Sequence, residues 1–319
     1  MSTEEGPEDW KPNLFVPGFP KCGTTALCDY LKQNPAIYMM EPKEPNTLAV
    51  GIDVPAWARD HHHQMKRPYF NYLDMKQYRG RLEKAKGARY RAEGSQSYIW
   101  PPVFPEKLWR FSPKAKLIFM VREQKDRLLS LYFHGFPYHL ESDFHRWIEK
   151  RFRPQASPFL FREMLTSYHR LFGDSVKVVD NKSLSERPEQ VMRRVFEFLG
   201  VEAVDVEPLR SNAGRMKSLD EYQRRTAAPY LRLTRTVMTP VRYFLNTADP
   251  EGKGPLRKPL GKLNPLKGLG ERAGTARRGS SPPSEEETAR AIPPDLASML
   301  DGDYGSTLDY CGANSLLLG

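Results

Sequence analysis

The sequence has little of what secreted and membrane proteins share. Its 319 residues include three cysteines, Cys22, Cys28 and Cys311, and so sparse and odd a set predicts no disulfide framework and fits a reducing compartment. The longest apolar runs, at residues 117–121 and 128–133, are much shorter than the ~20 residues that span a bilayer as a helix. The polar, acidic N-terminus lacks the basic start and apolar stretch of a signal peptide. We therefore expect a cytoplasmic protein that has no membrane span.

Acidic residues are fewer than basic residues, and the basic residues are unevenly distributed along the chain. Lys and Arg total 49 against 39 Asp and Glu, a formal net charge of +10, which favours anionic partners without choosing among them. Residues 251–279 are rich in glycine and proline and concentrate the basic charge. The basic residues there are Lys253, Arg257, Lys258, Lys262, Lys267, Arg272, Arg277 and Arg278. This segment is interpreted either as a disordered basic insertion or as a flap that orders over an anionic ligand.

Short apolar runs alternate with amphipathic segments along most of the chain. Strand-like runs cover residues 13–18, 36–40, 90–93, 116–121 and 175–180, and helical patterns cover residues 23–32, 122–134, 159–172 and 188–199. Such alternation predicts an α/β fold in which a central parallel sheet is flanked by helices. We divide the chain into a flexible leader (1–12), a main domain (13–245), the basic Gly/Pro-rich insertion or flap (246–290), and a C-terminal helix and tail of the same domain (291–319).

A glycine-containing turn joins the first predicted strand to the first helix. Residues 17–27 read PGFPKCGTTAL, and a helix N-terminus at such a turn presents backbone N–H groups and a favourable dipole to an anion. Gly18 and Gly23 allow the backbone to approach a ligand closely. Lys21 adds a point charge, and the hydroxyls of the two threonines that follow add donors. Together these features predict a cradle for a phosphate group.

The turn differs from a Walker A loop. The pattern GxxxxGK[ST] would place a lysine at the position of Thr24, whereas here the lysine lies inside the loop at position 21. A kinase would also use an acidic residue at a strand end to hold Mg²⁺, and the strand at 116–121 is followed by Arg122. A P-loop kinase of a small molecule stays an alternative, as does a basic protein that binds an anionic polymer.

The turn and a second segment together resemble a known family. PxxKxGTTAL after the first strand is similar to the 5′-phosphosulfate loop of sulfotransferases that use 3′-phosphoadenosine 5′-phosphosulfate (PAPS), and KLIFMVREQKDRLLSLY at residues 116–132 resembles their second signature. MEPKEPNTL, AEGSQSYIW and the stretch ending in FEFLG resemble segments of the bacterial and heparan-type members. The resemblance covers roughly residues 13–220. It implies a P-loop-NTPase-like three-layer sandwich with a central parallel sheet flanked by helices.

The resemblance assigns residues to both ends of the donor nucleotide. It implies that Arg122 and Ser130 hold the 3′-phosphate and that Arg215 and Lys217 lie beside the nucleotide. The 5′ end would contact the loop residues, which are Lys21, Cys22, Gly23, Thr24, Thr25 and Ala26. The product would be adenosine 3′,5′-bisphosphate. No metal is expected, because protein cations can stabilise the same charge.

Transfer needs a general base for the acceptor. Glu44 is the first choice, since it follows the second predicted strand and a glutamate acts as base at the matching place in heparan-type members. The alternative for Glu44 is a surface carboxylate paired with Lys43. A histidine base is also open, from the run at 61–63 or from His134 or His139. We expect a hydroxyl, less often an amine, of a small-molecule or carbohydrate acceptor and no nucleic-acid partner; the sequence leaves the oligomeric state open.

Two further positions near the predicted cradle carry expectations. For Cys22 we expect the backbone to matter more than the thiol. Because a helix N-terminus lowers the pKa of a thiol, a further hypothesis is that oxidation or alkylation of Cys22 blocks the nucleotide. Glycan-sulfating Golgi members of the resembled family carry a catalytic lysine where this sequence has Gly94. The sequence therefore departs from that subclass at this position.

Overall fold

The computed structural model describes residues 10–49, 73–85, 87–99, 104–139, 144–153, 160–209 and 292–319. Several of the predictions fall outside these ranges, namely the histidine run at 61–63, Arg215, Lys217 and the basic segment at 251–279. None of the helices within the described ranges combines the length and apolar character needed to cross a membrane.

Parallel strands form a central five-stranded sheet. They are β1 (Leu14–Phe15), β2 (Ile37–Met39), β3 (Tyr90–Glu93), β4 (Lys116–Val121) and β5 (Val176–Asp180), in the order β2-β3-β1-β4-β5. Every pair in this sheet is parallel, and Leu14 lies opposite both Ala92 and Lys116. The predicted α/β fold with a parallel sheet is confirmed.

Helices flank this sheet. They are α1 (Thr24–Leu31), α2 (Met75–Leu82), α3 (Phe104–Phe111), α4 (Gln124–His139), α5 (Phe144–Trp147), α6 (Phe161–Phe172), α7 (Asn181–Glu186), α8 (Pro188–Leu199) and α9 (Pro294–Ala313). α5 continues as a π-helical segment, Ile148–Phe152. Consecutive residues of β4 and β5 are buried almost without interruption, a pattern that requires cover on both faces of the sheet.

The helices α6 and α8 show how the sequence builds these elements. The buried side chains of α6 recur every three or four residues, as on one face of a helix: Phe161, Met164, Leu165, Tyr168 and Phe172. α8 begins at Pro188, whose missing N–H costs nothing in the first helical turn. It ends at Gly200, which adopts a left-handed conformation with φ 67°.

The C-terminal residues return to the sheet. α9 packs against α4 and α6. The tail then runs parallel to β5, where the Val178 N–H donates to the Leu316 carbonyl at 2.8 Å and the Leu318 N–H donates to the Val178 carbonyl at 2.9 Å. The tail thereby pairs with the strand at this end of the sheet, whose backbone groups would otherwise be exposed.

The strand order determines where a ligand can bind. After β1 the chain crosses over β3 to reach β2, whereas after β4 it continues on the opposite side to β5. Such a reversal opens a crevice at the carboxyl ends of neighbouring strands, where open α/β sheets bind their ligands. The predicted cradle follows β1, and Arg122 follows β4. The topology therefore brings together two segments that are about 100 residues apart in the sequence.

Candidate active site

The turn between β1 and α1 contains two glycines at which any side chain would clash with a neighbouring residue. A Cβ on Gly18 would lie 2.5 Å from Cγ2 of Thr24, and one on Gly23 would lie 2.3 Å from Nδ2 of Asn181. Gly23 is the N-cap of α1 with φ 94°. Lys21 also has a positive φ, 68°, which is uncommon for a residue that carries a Cβ. The loop is thus held in a strained, close-packed shape.

The first turn of α1 is open to an anion. Gly23 provides no side-chain cap, and the turn contains no acidic residue, so the positive end of the helix dipole is not offset locally. The N–H of Cys22 is engaged within the loop, where it donates to the Phe19 carbonyl at 3.3 Å. Among the residues assigned to the cradle, those from Gly23 onward lie at the helix N-terminus itself.

Arg122 lies beside the loop, as the strand order requires. Its Nη1 donates to the Lys21 carbonyl at 3.4 Å, and its Nη2 lies 3.7 Å from the Asp126 carboxylate. Burial, followed by the charge of Arg122, lowers the pKa of Lys21. Two cations placed this close disfavour each other unless an anion joins them.

A third cation, Lys43, reaches the same helix N-terminus. Its Nζ donates to Oγ1 of Thr24 at 3.1 Å and to Oγ1 of Thr25 at 3.2 Å. Its side chain passes Gly94, because a Cβ there would lie 3.0 Å from Cε of Lys43. From the sequence, Lys43 was expected only as the partner of Glu44 in a surface pair, and this position was not predicted. The signal available in the sequence was its place four residues after the end of β2, at the same edge of the sheet as the cradle.

Glu44 also faces the cradle. Its Oε1 accepts hydrogen bonds from Nζ of Lys43 and from Nε2 of Gln96, both at 3.1 Å. The pair with Lys43 that was weighed against a catalytic role is present, and it lies inside the cleft with Glu44 partly buried. A carboxylate therefore sits one side chain away from the hydroxyls at the start of α1.

A buried network holds the segment that carries Glu44. The N–H of Asn46 donates to Oγ of Ser95 at 3.0 Å, and Oγ of Ser97 donates to Oδ1 of Asn46 at 2.7 Å. The N–H of Leu48 donates to the hydroxyl of Tyr98 at 3.2 Å. These bonds anchor residues 46–48 to the segment that follows β3, so the position of Glu44 is set by the sheet.

Comparison with known proteins identifies the family. The family model described as sulfotransferase domain matches residues 11–241. The chain belongs to the sulfotransferase family. The resemblance drawn from the sequence motifs is confirmed.

A solved structure with a TM-score above 0.5 supports the same fold. The sulfotransferase from Alicyclobacillus acidocaldarius has a TM-score of 0.52 and 25% sequence identity, and the match covers 72% of this chain and 96% of that one. The sulfotransferase domain from the curacin biosynthetic pathway has a TM-score of 0.42 and 15% identity, covering 60% of this chain and 75% of that one. Among curated proteins no significant match is found. The predicted P-loop-like fold of this sulfotransferase is confirmed.

The remaining residues assigned to the site occupy α4. Ser130 is partly buried there, about two helical turns beyond Arg122. The backbone of His134 and His139 belongs to the same helix. Among the residues that the structure describes, no cluster of His, Cys, Asp and Glu is placed to hold a metal ion.

The expectation of a reactive Cys22 thiol in this sulfotransferase is wrong. The side chain is fully buried, and burial raises the pKa of the thiol to about 11. Nearby Arg127 and Arg122 act in the opposite direction but do not outweigh burial. Proximity to a helix N-terminus lowers the pKa of a thiol only where the thiolate is solvated or paired, so Cys22 is a packing residue.

Gly23→Ala is expected to impair both folding and ligand binding. The new Cβ would meet Asn181 and would hold a left-handed φ, and the two effects together cost about 2–4 kcal/mol of unfolding free energy. Gly87→Ala is the matched control, since Gly87 has φ +92° and nothing within 4 Å of the added Cβ. Denaturant unfolding of both variants measures the difference. Equal losses would show that Asn181 does not restrict the loop.

Proposed function

We propose that this sulfotransferase transfers a sulfuryl group from PAPS to a hydroxyl, less often an amine, of a small-molecule or carbohydrate acceptor and releases adenosine 3′,5′-bisphosphate. The observation that supports the donor is that Lys43 and Arg122 reach the loop and the open N-terminus of α1 from two different elements, where the charge of Arg122 also acts on Lys21. A nucleotide with charged groups at both ends suits this arrangement, because phosphates and sulfates bind helix N-termini and basic side chains.

The two ends of the donor would be held by different elements. The N–H groups of residues 23–26 and the hydroxyls of Thr24 and Thr25 would hold the 5′-phosphate. Arg122 and Ser130 would hold the 3′-phosphate from the side of β4 and α4. Arg215 and Lys217 are proposed as further nucleotide contacts from the sequence resemblance alone. Gly18 and Gly23 allow the side chains of Thr24 and Asn181 to pack against the loop backbone, which fixes the shape of the loop.

Transfer would proceed by in-line displacement. The acceptor oxygen forms a bond to sulfur as the bond between sulfur and the oxygen that bridges it to the 5′-phosphate breaks. The acceptor proton passes to the carboxylate of Glu44. Negative charge develops on the bridging oxygen, and Lys21 stabilises it. The protein residues thus supply positioning, a base and positive charge.

The ion pair between Lys43 and Glu44 implies that the donor binds before Glu44 acts as a base. In the structure Lys43 divides its hydrogen bonds between the threonine hydroxyls and Glu44. A sulfated phosphate at the start of α1 competes with Glu44 for Lys43, because its charge is greater. Donor binding then releases Glu44 from its pair, which makes the carboxylate available to an acceptor.

Ligand specificity tests the donor assignment directly. Adenosine 3′,5′-bisphosphate is expected to raise the midpoint of thermal unfolding in a concentration-dependent way, since a ligand that binds the folded state stabilises it. ATP with Mg²⁺ should give a much smaller shift. A larger shift with ATP and Mg²⁺ would favour the kinase alternative. Incubation with labelled PAPS and a panel of alcohols, phenols, sugars and amines, followed by mass spectrometry, would then identify the acceptor class.

Arg122→Ala is expected to weaken donor binding by roughly 10- to 100-fold, because charged hydrogen bonds to a phosphate contribute about 1.5–3 kcal/mol. The change should appear in KM for PAPS and in the dissociation constant of adenosine 3′,5′-bisphosphate. Arg79→Ala is the matched control, since Arg79 also pairs with a carboxylate four residues later but is exposed on α2. Unchanged donor binding in the Arg122 variant would refute its assignment.

A further inference from the structure

A second arginine contacts the phosphate loop from within the core. Arg127 on α4 is only 1% exposed, and its Nε donates to the carbonyl of Pro20 at 3.0 Å. Its guanidinium lies 5.6 Å from the ring centre of Phe19 and 4.9 Å from that of Phe161. Arg127 therefore binds the loop backbone from inside the protein, whereas Arg122 is partly exposed and binds it from the side of the proposed ligand site.

A chain of buried hydrogen bonds links Arg127 to the C-terminal helix. Nη1 of Arg127 donates to Oε1 of Gln124 at 2.9 Å, and Nε2 of Gln124 donates to Oδ2 of Asp303 at 2.8 Å. Asp303 lies on α9 and is 9% exposed. It also accepts hydrogen bonds from the N–H groups of Phe161 and Arg162 at the start of α6. We call Asp303, Gln124 and Arg127 the loop brace.

The donor and acceptor roles in this chain of hydrogen bonds allow only one orientation of the Gln124 amide. Gln124 can satisfy Arg127 only with its carbonyl oxygen and Asp303 only with its amide nitrogen. The buried positive charge of Arg127 has the carboxylate of Asp303 as a compensating charge one amide group away. A buried charge is tolerated where it is paired and hydrogen-bonded.

The neighbouring residue of α9, Tyr304, is linked to the other end of the loop through Asp180 and Asn181. The hydroxyl of Tyr304 donates to Oδ1 of Asp180 at 2.8 Å, while Oδ2 of Asp180 accepts from the Ser183 N–H at 3.0 Å and caps α7. The next residue, Asn181, is the one that packs against Gly23. Adjacent residues of α9 therefore connect to both the Pro20 side and the Gly23 side of the loop.

We propose that α9 positions the phosphate loop through the loop brace, and that Asp303 and Arg127 are positioning residues for Lys21. The carbonyl of Pro20 belongs to the peptide unit that leads into Lys21, so the bond from Arg127 restrains the backbone at the one loop residue that holds a positive φ despite its Cβ. A restrained φ directs the Lys21 side chain. An effect of the loop brace on sulfuryl transfer rests on the proposed function. The restraint of the Lys21 backbone by Arg127 does not depend on that function.

Asp303→Asn separates this role from general packing. The new amide keeps one accepting oxygen and replaces the other with an N–H donor, which must face either the Arg162 N–H or the amide nitrogen of Gln124. The substitution also removes the negative charge that compensates Arg127. If Gln124 rotates to compensate, its nitrogen faces Arg127. Asp301→Asn is the matched control, because Asp301 pairs with Lys125 at 2.7 Å and joins the same two helices without contacting the brace. Gln124→Leu serves as a second variant if Asp303→Asn does not fold.

Amide hydrogen exchange of residues 18–24 is the direct measurement. We expect exchange there to be at least about 10-fold faster in Asp303→Asn or Gln124→Leu than in the wild type, and unchanged in Asp301→Asn. The dissociation constant of adenosine 3′,5′-bisphosphate should rise by about the same factor in the brace variants. Wild-type exchange in both brace variants, or equal acceleration in the control, would overturn the proposal. A wild-type protein that fails to bind the bisphosphate would overturn the proposed function. The exchange measurement would still show whether the loop brace restrains the phosphate loop.

Discussion

Lys21→Ala is expected to lower kcat for sulfuryl transfer by about 100- to 1,000-fold, the range seen when one stabilising donor is removed from a developing negative charge. The backbone carbonyl of Lys21 accepts a hydrogen bond from Arg122, and residues 17–27 contain no second lysine that could replace Lys21. Because alanine and lysine both carry a Cβ, the cost of the positive φ is the same in the two proteins. The fold should therefore persist, and steady-state kinetics with PAPS measure the loss.

A second substitution separates charge from backbone strain at this position. Lys21→Gly removes the charge but relieves the conformation at φ 68°. We expect Lys21→Gly to be as inactive as Lys21→Ala. We also expect Lys21→Gly to unfold at a higher temperature than Lys21→Ala. If Lys21→Ala kept activity within 10-fold of the wild type, the leaving oxygen would have to be stabilised by another cation, and Lys43 is the one placed to do so.

Glu44→Gln is expected to reduce kcat by about 100- to 10,000-fold, the contribution typical of a general base. The glutamine keeps an oxygen for the hydrogen bond from Gln96 but cannot accept the acceptor proton. Donor affinity should be retained or slightly improved, because Lys43 no longer has a carboxylate partner inside the cleft. Kinetics at saturating PAPS, combined with a binding measurement for adenosine 3′,5′-bisphosphate, distinguish the two effects.

The neighbouring Glu41→Gln is the control for this substitution. Glu41 lies on the same segment, is exposed and pairs with Lys32 outside the cleft. Its loss should leave kcat unchanged. Turnover that survives in Glu44→Gln would transfer the role of base to a histidine, for which His134 and His139 on α4 are the candidates within the described part of the chain.

Gly94 gives the cleft a different source of positive charge from the one expected for glycan-sulfating members. The absent side chain leaves the space that the Lys43 side chain occupies, and a Cβ would also lie 2.9 Å from Sγ of Cys28. A lysine at position 94 would therefore displace Lys43. The structure thus places the cation of Lys43, from the segment after β2, in the space beside Gly94.

Local patterns in the sequence predicted most of the fold. The strand and helix positions followed from apolar runs and helical periodicity, because residues close in sequence decide whether a segment buries one face, two faces or none. The same holds for the turn after β1, where the glycine and lysine positions indicated a cradle before any tertiary contact was known. The position of Arg122 at the end of a strand also followed from the sequence, and the parallel order of the sheet brings it beside the loop. Its assignment to the 3′-phosphate stays a prediction.

The tertiary structure decided what each side chain in the cleft has as a neighbour. Burial reversed the expected effect on Cys22, because desolvation of a thiolate depends on packing from all sides. Lys43 gained a place at the start of α1 through space left by Gly94, and Arg127 is joined to Asp303 by an amide on the same helix. Such contacts connect residues that are far apart in the chain, and no local periodicity encodes them. The sequence by itself determined which elements form and predicted where an anion binds; folding determined which charged side chains lie near each other there.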